Sequence, residues 1–126
     1  MGLTIWSYNI RWRNRSSNGR KSGWRNALDV LDHCRDLGAG CLQIGAQGWQ
    51  KDFVRQVRDK RENLGIAIEG QIGLPRNKQD LGRFEAELLG AREAGATVLR
   101  SVCLNGRRYE KFGDKESWER FRKESL

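Results

Sequence analysis

Proline, histidine and long apolar runs are scarce in this sequence. It contains 1 proline and 1 histidine in 126 residues. The proline, Pro75, falls in a predicted loop, where it interrupts neither a helix nor a strand. No segment reaches the roughly 18 apolar residues that a membrane-spanning helix needs, and the N-terminus lacks the basic start and apolar run of a secretory signal. We therefore expect a cytoplasmic protein with no membrane partner.

Cysteine is also sparse, and its spacing is uninformative. The 3 cysteines are Cys34, Cys41 and Cys103, an odd number without the paired spacing of a zinc site. We expect reduced thiols that pack as small apolar side chains. A single histidine, His33, excludes a histidine-rich metal site within this chain. Its position on a predicted helix indicates an exposed surface residue.

The sequence does contain a repeated pattern of helix, glycine and short apolar strand. The repeat occupies Leu37–Gly45, Leu64–Gly70 and Ala91–Leu104, and its hinge glycines are Gly38, Gly65 and Gly95. Helices commonly end at a glycine in the left-handed conformation, and parallel strands need a crossover helix between them. With 37% hydrophobic residues for a core, the pattern predicts one α/β domain, 1–126, built from about four βα units.

The repeat sets the expected bounds of the elements. We predict strands at 3–10, 41–44, 66–69 and 97–104, and helices at 24–37, 51–64, 79–94 and from 117 onward. The last strand is mostly apolar, which is typical of a fully buried parallel strand. The loop 11–25 carries 6 basic residues and no acidic residue. Loops of such length are commonly functional.

Positive charge is concentrated in the loops that follow the predicted strands. Together, 11–25, 46–51, 71–78 and 104–116 hold 13 of the 24 basic residues and 3 of the 16 acidic residues. Ligands of open parallel sheets bind at this end. A focused positive field concentrates anions such as phosphate esters, carboxylates or a nucleic-acid backbone. The alternative is a basic surface without a selective role.

Polar side chains recur near the carboxyl ends of the predicted strands. They are Tyr8, Asn9, Gln43, Glu69 and Arg100. Burying such groups without partners costs about 1–3 kcal/mol each, so their recurrence indicates a shared polar cavity. Glu69 and Arg100 could instead form a purely structural ion pair across adjacent strands.

One further stretch carries a family resemblance. The phrase Ala94-Gly-Ala-Thr-Val-Leu-Arg100 precedes a loop with Arg107, Arg108 and Tyr109. With its successive βα units, the chain resembles the xylose isomerase-like TIM barrels, a group of sugar isomerases, sugar-phosphate epimerases and an apurinic endonuclease branch. The resemblance implies a (β/α) TIM-barrel fold, of which this chain covers the N-terminal half, because a complete barrel typically needs about 250 residues. We expect a truncated chain that lacks its C-terminal half; the alternative is a homodimer of half-barrels.

The resemblance also implies a function. It implies a metal-dependent sugar or sugar-phosphate isomerase or epimerase, with a divalent metal whose ligands and catalytic base come mainly from later strands. No metal ligand is therefore expected in this chain, and the isolated chain is expected to be inactive. Its share would be to bind a small anionic sugar-type substrate, with Trp12 or Trp49 against the sugar ring. The expected binding residues are Tyr8, Asn9, Gln43, Glu69, Arg100, Arg107 and Arg108.

Two other functions stay open. A nucleic-acid-binding or apurinic-endonuclease-like barrel would use basic residues interleaved with Trp12, Trp24 and Tyr109. No nucleic-acid motif accompanies the positive charge, which argues against this function. The endonuclease branch of the family that this chain resembles uses histidines on early strands, whereas this sequence has Gln43 and Glu69 on its second and third predicted strands. The third possibility is a non-catalytic half-barrel.

Overall fold

The computed structural model describes residues 1–15, 23–102 and 108–124, with only the backbone described at 108, 109 and 124. The elements, in chain order, are β1 Gly2–Thr4, α1 Asn9–Arg13, α2 Ala27–Asp36, β2 Cys41–Ile44, α3 Lys51–Leu64, β3 Ala67–Gln71, α4 Leu81–Glu93, β4 Ala96–Arg100, α5 Arg108–Lys111 and α6 Lys115–Glu124. Short 3₁₀ turns occupy Ile5–Tyr8 and Lys78–Asp80.

The four strands form one parallel sheet whose spatial order follows the chain, β1-β2-β3-β4. Each pair of neighbouring strands is joined through a helix, as parallel pairing requires. The predicted α/β class with βα units is therefore confirmed. Within the described part of the chain, no helix is long and apolar enough to cross a membrane.

The hinge glycines take the conformation that the sequence predicted. Gly38, Gly65 and Gly95 have φ of 67°, 64° and 93°. This left-handed region is costly for residues that carry a Cβ. Each glycine therefore ends a helix and turns the chain into the next strand.

The core lies between one face of the sheet and the helices α2, α3 and α4. On the strands, the buried residues Leu42, Ile44 and Ile68 alternate with partly exposed residues such as Gln43 and Glu69. Because successive side chains of a strand point to opposite faces, the sheet has one helix-covered face and one open face. The helices α2 and α3 contribute Val30, Leu31, Val54 and Val57 to this core.

The predicted first strand, 3–10, is wrong beyond Thr4. The Thr4 side chain accepts a hydrogen bond from the backbone N–H of Trp6 and so caps the 3₁₀ turn that follows. Tyr8 and Asn9 consequently lie in a 3₁₀ turn and at the start of α1, not at a strand end. The buried side chain of Ile5 anchors this turn to the core.

The predicted burial of the fourth strand is also wrong. In β4, Thr97, Val98, Leu99 and Arg100 are all exposed. The strand pairs with β3 and forms an edge of the described sheet. Its side chains are therefore exposed because the strand has one neighbour in the described sheet, although its composition is mostly apolar.

His33 is half-buried, contrary to the prediction of an exposed surface residue. Its ring packs edge-on against Tyr8 and Trp24, with ring centroids 5.2 Å away in both cases. Its Nε2 is buried and has no hydrogen-bond partner in the described structure. The histidine thus belongs to an aromatic cluster that holds the 3₁₀ turn of Ile5–Tyr8 against α2.

The cysteines match the expected reduced thiols where they are described. Cys34 is buried in the core and Cys41 is half-buried on β2, and both are free. Burial raises the pKa of Cys34 to about 11. Burial, together with the neighbouring Glu69 charge, also raises the pKa of Cys41. Cys103 lies outside the described residues.

Candidate functional site

A cleft of about 670 Å³ lies at the carboxyl ends of β1, β2 and β3. Its walls come from the segment after β1, from the turn at residues 45–50 after β2, and from Gln71, the last residue of β3. We call it the strand-end cleft. This is the edge at which parallel α/β sheets bind ligands.

The lining of the strand-end cleft is aromatic, basic and amide-bearing. Its aromatic residues are Trp6, Trp12, Trp49 and Phe53, its basic residues Arg13, Arg15 and Arg25, and its amide-bearing residues Asn9, Asn26, Gln47, Gln50 and Gln71. No acidic side chain is among the described residues that line it. Aromatic faces combined with guanidinium groups suit a ligand that carries both a ring and a negative charge.

The aromatic walls are fixed by packing. Trp12, Trp49 and Phe53 are partly buried and pack against the core, and the Trp49 and Phe53 rings meet edge to face with centroids 5.4 Å apart. Trp6 is more exposed, at 52%. Its indole Nε1–H donates a hydrogen bond of 2.6 Å to Gln71 Oε1. That bond fixes Trp6 between the cleft and the open face of the sheet.

The three arginines of the cleft differ in their partners. Arg25 forms two side-chain hydrogen bonds to Asp29, of 3.0 and 2.7 Å. Hydrogen bonding from Arg25 lowers the pKa of Asp29 below its ordinary value. Arg15 instead lies over the Trp12 ring, 4.1 Å from its centroid. Arg13 has no ion-pair partner among the described residues.

The amino end of α3 also faces the cleft. Gln50 occupies the N-cap position without a side-chain hydrogen bond to the helix, and Gln50, Trp49 and Phe53 line the cavity. The first backbone N–H groups of a helix carry partial positive charge. They add to the positive potential that the arginines create.

A second polar group lies on the open face of the sheet, where Gln43 is the centre. Its Oε1 accepts hydrogen bonds from Thr4 Oγ1 and from Arg100 Nη1, each 3.1 Å long. Its Nε2 donates to Glu69 Oε2, also at 3.1 Å. Thr4, Gln43 and Glu69 are direct register partners on β1, β2 and β3. We call these four residues the open-face row.

The predicted direct pair of Glu69 and Arg100 does not form in the described structure. A register irregularity between Ile68 and Glu69 places Val98 opposite Glu69, and Arg100 opposite Gln71. The Arg100 guanidinium therefore reaches across to Gln43. Gln43 thus bridges Glu69 and Arg100, the two charged residues for which a direct pair was predicted.

The remaining predicted binding residues lie apart from this row. Asn9 lines the strand-end cleft and also an adjacent cleft of about 760 Å³, which Tyr8 lines as well. The Tyr8 ring is committed to contacts with Trp24 and His33. Arg107 and the side chain of Arg108 lie outside the described residues. The structure thus brings together Gln43, Glu69 and Arg100, with Asn9 in the neighbouring cleft.

Sequence reasoning missed Thr4, Trp6 and Gln71 as parts of these two polar groups. Thr4 and Gln71 are the last residues of β1 and β3. Correct strand bounds would therefore have identified both as polar residues at strand ends. Trp6 carries no such signal, because its place depends on the 3₁₀ turn after Thr4.

No known protein family, curated protein or solved structure matches this chain. The cleft and the open-face row are therefore the features from which a function can be inferred.

The described residues do not fit the divalent metal that the sequence resemblance implies. Among residues 1–15, 23–102 and 108–124, no group of three or more His, Cys, Asp or Glu side chains could hold a metal ion. In the open-face row, Glu69 is the one carboxylate, and its neighbours are amide, hydroxyl and guanidinium groups. A guanidinium repels a divalent cation, so these four residues do not form a metal site.

Proposed function

We propose that this chain binds a small anionic sugar in the strand-end cleft, as the substrate-binding, N-terminal part of a sugar or sugar-phosphate isomerase or epimerase. One observation carries the proposal: aromatic, arginine and amide side chains line a cleft at the carboxyl edge of a parallel βα sheet, with no acidic residue among the described lining. Sugars offer apolar C–H faces to aromatic rings and hydroxyl groups to amides, and the arginines complement an anionic substituent.

The open-face row supports the same proposal. It borders the cleft through Gln71, which lines the cleft and is the register partner of Arg100. Glu69 accepts hydrogen bonds and Arg100 donates them, so adjacent sugar hydroxyls could bind both. A free sugar has many such hydroxyls, and a sheet face offers them rigid partners. The proposal assigns substrate binding to the described residues and assigns no step of the reaction to them.

A second candidate is binding of single-stranded nucleic acid. It is favoured by Trp6, which is half exposed, and by the stacked pair of Arg15 and Trp12. Bases stack on exposed aromatic rings, and arginines contact the backbone. This candidate predicts affinity that falls steeply with salt concentration, because each phosphate contact releases counterions.

Titration of the folded chain tests the first proposal. Tryptophan fluorescence is recorded while free sugars, sugar acids and sugar phosphates are added, with a mixed-sequence oligonucleotide as the competing ligand. Trp49→Leu should reduce or abolish the response to sugars. The matched control is Trp118→Leu, because Trp118 lies on α6 and packs against Phe112 and Phe121.

Three results distinguish the candidate functions. A saturable response to at least one sugar ligand, lost in Trp49→Leu and kept in Trp118→Leu, supports the proposal. A folded chain that responds to none of the sugar ligands rules it out. Salt-sensitive binding of the oligonucleotide alone would support the second candidate instead.

A further inference from the structure

Two arginines of the strand-end cleft have positive charges that no described carboxylate compensates. Arg13 is the last residue of α1, Arg15 follows two residues later, and both line the cleft. Arg25, the third arginine of the lining, is neutralised by Asp29 in a 2.7 Å ion pair. The cleft therefore holds two uncompensated guanidinium groups within the described structure.

Arg15 is held in place without a carboxylate. Its guanidinium carbon lies 4.1 Å from the centroid of the Trp12 ring, and its Nη1 donates a 2.8 Å hydrogen bond to the Trp12 carbonyl oxygen. Trp12 itself packs against the core. Stacking on an aromatic face leaves the edge of a guanidinium available for an anion. Because the side chain is already ordered, less conformational entropy is lost when a ligand binds.

The charge of this pair suits a phosphate monoester. A phosphate monoester carries about −1.5 to −2 charges at pH 7 and presents three acceptor oxygens. Two guanidinium groups can satisfy those oxygens with paired hydrogen bonds. A carboxylate carries one charge and two oxygens, and the backbone phosphates of nucleic acids carry one charge each. Of these three groups, the monoester has the charge closest to that of the two arginines and the most acceptor oxygens for them.

We propose that Arg13 and Arg15 form a phosphate-monoester subsite, so that the ligand of the strand-end cleft is a sugar phosphate and not a free sugar or a sugar acid. This inference rests on the proposed function for the sugar part of the ligand. The phosphate subsite itself can be tested without a sugar, using inorganic phosphate as the probe.

The experiment measures dissociation constants by calorimetry for a sugar phosphate, for the same sugar without phosphate, and for inorganic phosphate. The variants are Arg13→Gln and Arg15→Gln, and the matched control is Arg55→Gln. Arg55 lies on α3, outside the cleft lining, and pairs with Asp52. Arg55→Gln removes one positive charge, as each of the two cleft variants does. Both cleft arginines are exposed, and far-ultraviolet circular dichroism confirms that each variant is folded.

We expect Arg13→Gln and Arg15→Gln each to weaken sugar-phosphate binding about tenfold, the loss of roughly one charge-assisted hydrogen-bond pair. Binding of the free sugar should change less than about twofold, as should all binding by Arg55→Gln. Arg15→Lys should recover only part of the lost affinity, because lysine keeps the charge without the planar stack.

The possible failures are distinguishable. Equal affinity for the sugar and its phosphate, unaffected by both arginine variants, overturns the phosphate subsite and leaves the proposed function standing. Arginine-dependent binding of inorganic phosphate without any gain from the sugar supports the subsite and overturns the sugar-binding function. Preference for an oligonucleotide over every monoester overturns both.

Discussion

The two faces of the sheet are built from alternate residues of the same strands, yet they differ in composition and surroundings. On the helix-covered face, Leu42, Ile44 and Ile68 are at most 3% exposed. On the open face, Gln43 and Glu69 are partly exposed and linked by a hydrogen bond. Residues one position apart in the chain therefore have different physical roles.

This difference separates stability from recognition. Burying a large aliphatic side chain contributes about 1.5–3 kcal/mol, whereas a partly exposed hydrogen bond contributes about 0.5–1.5 kcal/mol net. The covered face should therefore dominate the free energy of unfolding. The open face leaves polar groups that a ligand could engage without unfolding the core.

The largest expected effect comes from truncating the covered face. Leu42→Ala removes a fully buried side chain and should lower the free energy of unfolding by about 2–5 kcal/mol, through lost burial and the cavity left behind. Urea unfolding measures this as a lower midpoint with an unchanged slope. Leu89→Ala is the control, since Leu89 is 46% exposed. Similar losses for the two variants would contradict the assignment of Leu42 to the core.

Adding a methyl group to the covered face should lower the free energy of unfolding somewhat less than Leu42→Ala does. A Cβ at Gly70 would overlap Leu99 Cδ2 and lie 3.0 Å from Ala91 Cβ. Gly70→Ala should therefore destabilise the chain by about 1–3 kcal/mol through overpacking. Gly40→Ala is the matched control, because a Cβ at that position would meet no packed neighbour within 4 Å. If both variants unfold at the same urea concentration, the close packing of β3 against α4 and β4 is refuted.

On the open face, the same measurement should give a smaller change. Gln43→Leu removes the hydrogen bonds to Thr4, Glu69 and Arg100, but water can replace these partners because the site is partly exposed. We expect the free energy of unfolding to fall by about 1 kcal/mol. Sugar affinity should fall by a larger fraction of its wild-type value than the free energy of unfolding does. Gln56→Leu, at an exposed position of α3, serves as control. A stability loss as large as that of Leu42→Ala would erase the contrast between the faces.

The smallest effect is expected at the rim, in the ion pair of Arg25 and Asp29. The pKa of Asp29 is lower in the folded chain than its ordinary value, so the unfolded chain binds the proton more readily. The ion pair thus stabilises the fold above about pH 4, by about 1 kcal/mol or less. This contribution is lost as the pH falls through the folded pKa.

Urea unfolding of wild type and Asp29→Asn between pH 2.5 and 6 measures that contribution. The stability difference between the two proteins should be greatest at pH 6 and shrink toward pH 2.5. A difference that stays constant across the range would show that Asp29 does not act through its charge.

Much of the repeat architecture could be predicted from the sequence. β2 at Cys41–Ile44 and α3 at Lys51–Leu64 have the predicted bounds, and the hinge glycines take positive φ. These features are local. The helical spacing of apolar residues and the tolerance of glycine for the left-handed backbone depend only on residues that are close in the sequence.

The parts that could not be predicted depend on distant contacts. β1 ends at Thr4 because the Thr4 side chain caps a turn, which apolar patterning does not reveal. β4 is exposed because it lies at the edge of the described sheet, and strand order is not visible in one strand's composition. The alignment of Arg100 with Gln71 follows from a register irregularity in the pairing of β3 with β4. Burial and pairing of this kind are decided by tertiary structure.

The chain-order sheet has a consequence for how the protein folds. Because β1, β2, β3 and β4 are neighbours in the order in which they are synthesised, every strand pairing closes a loop of about one βα unit. No pairing must wait for a distant segment, so the contact order is moderate for a parallel sheet. We therefore expect the entropy cost of closing each strand pairing to be that of one βα unit, and not of the whole chain.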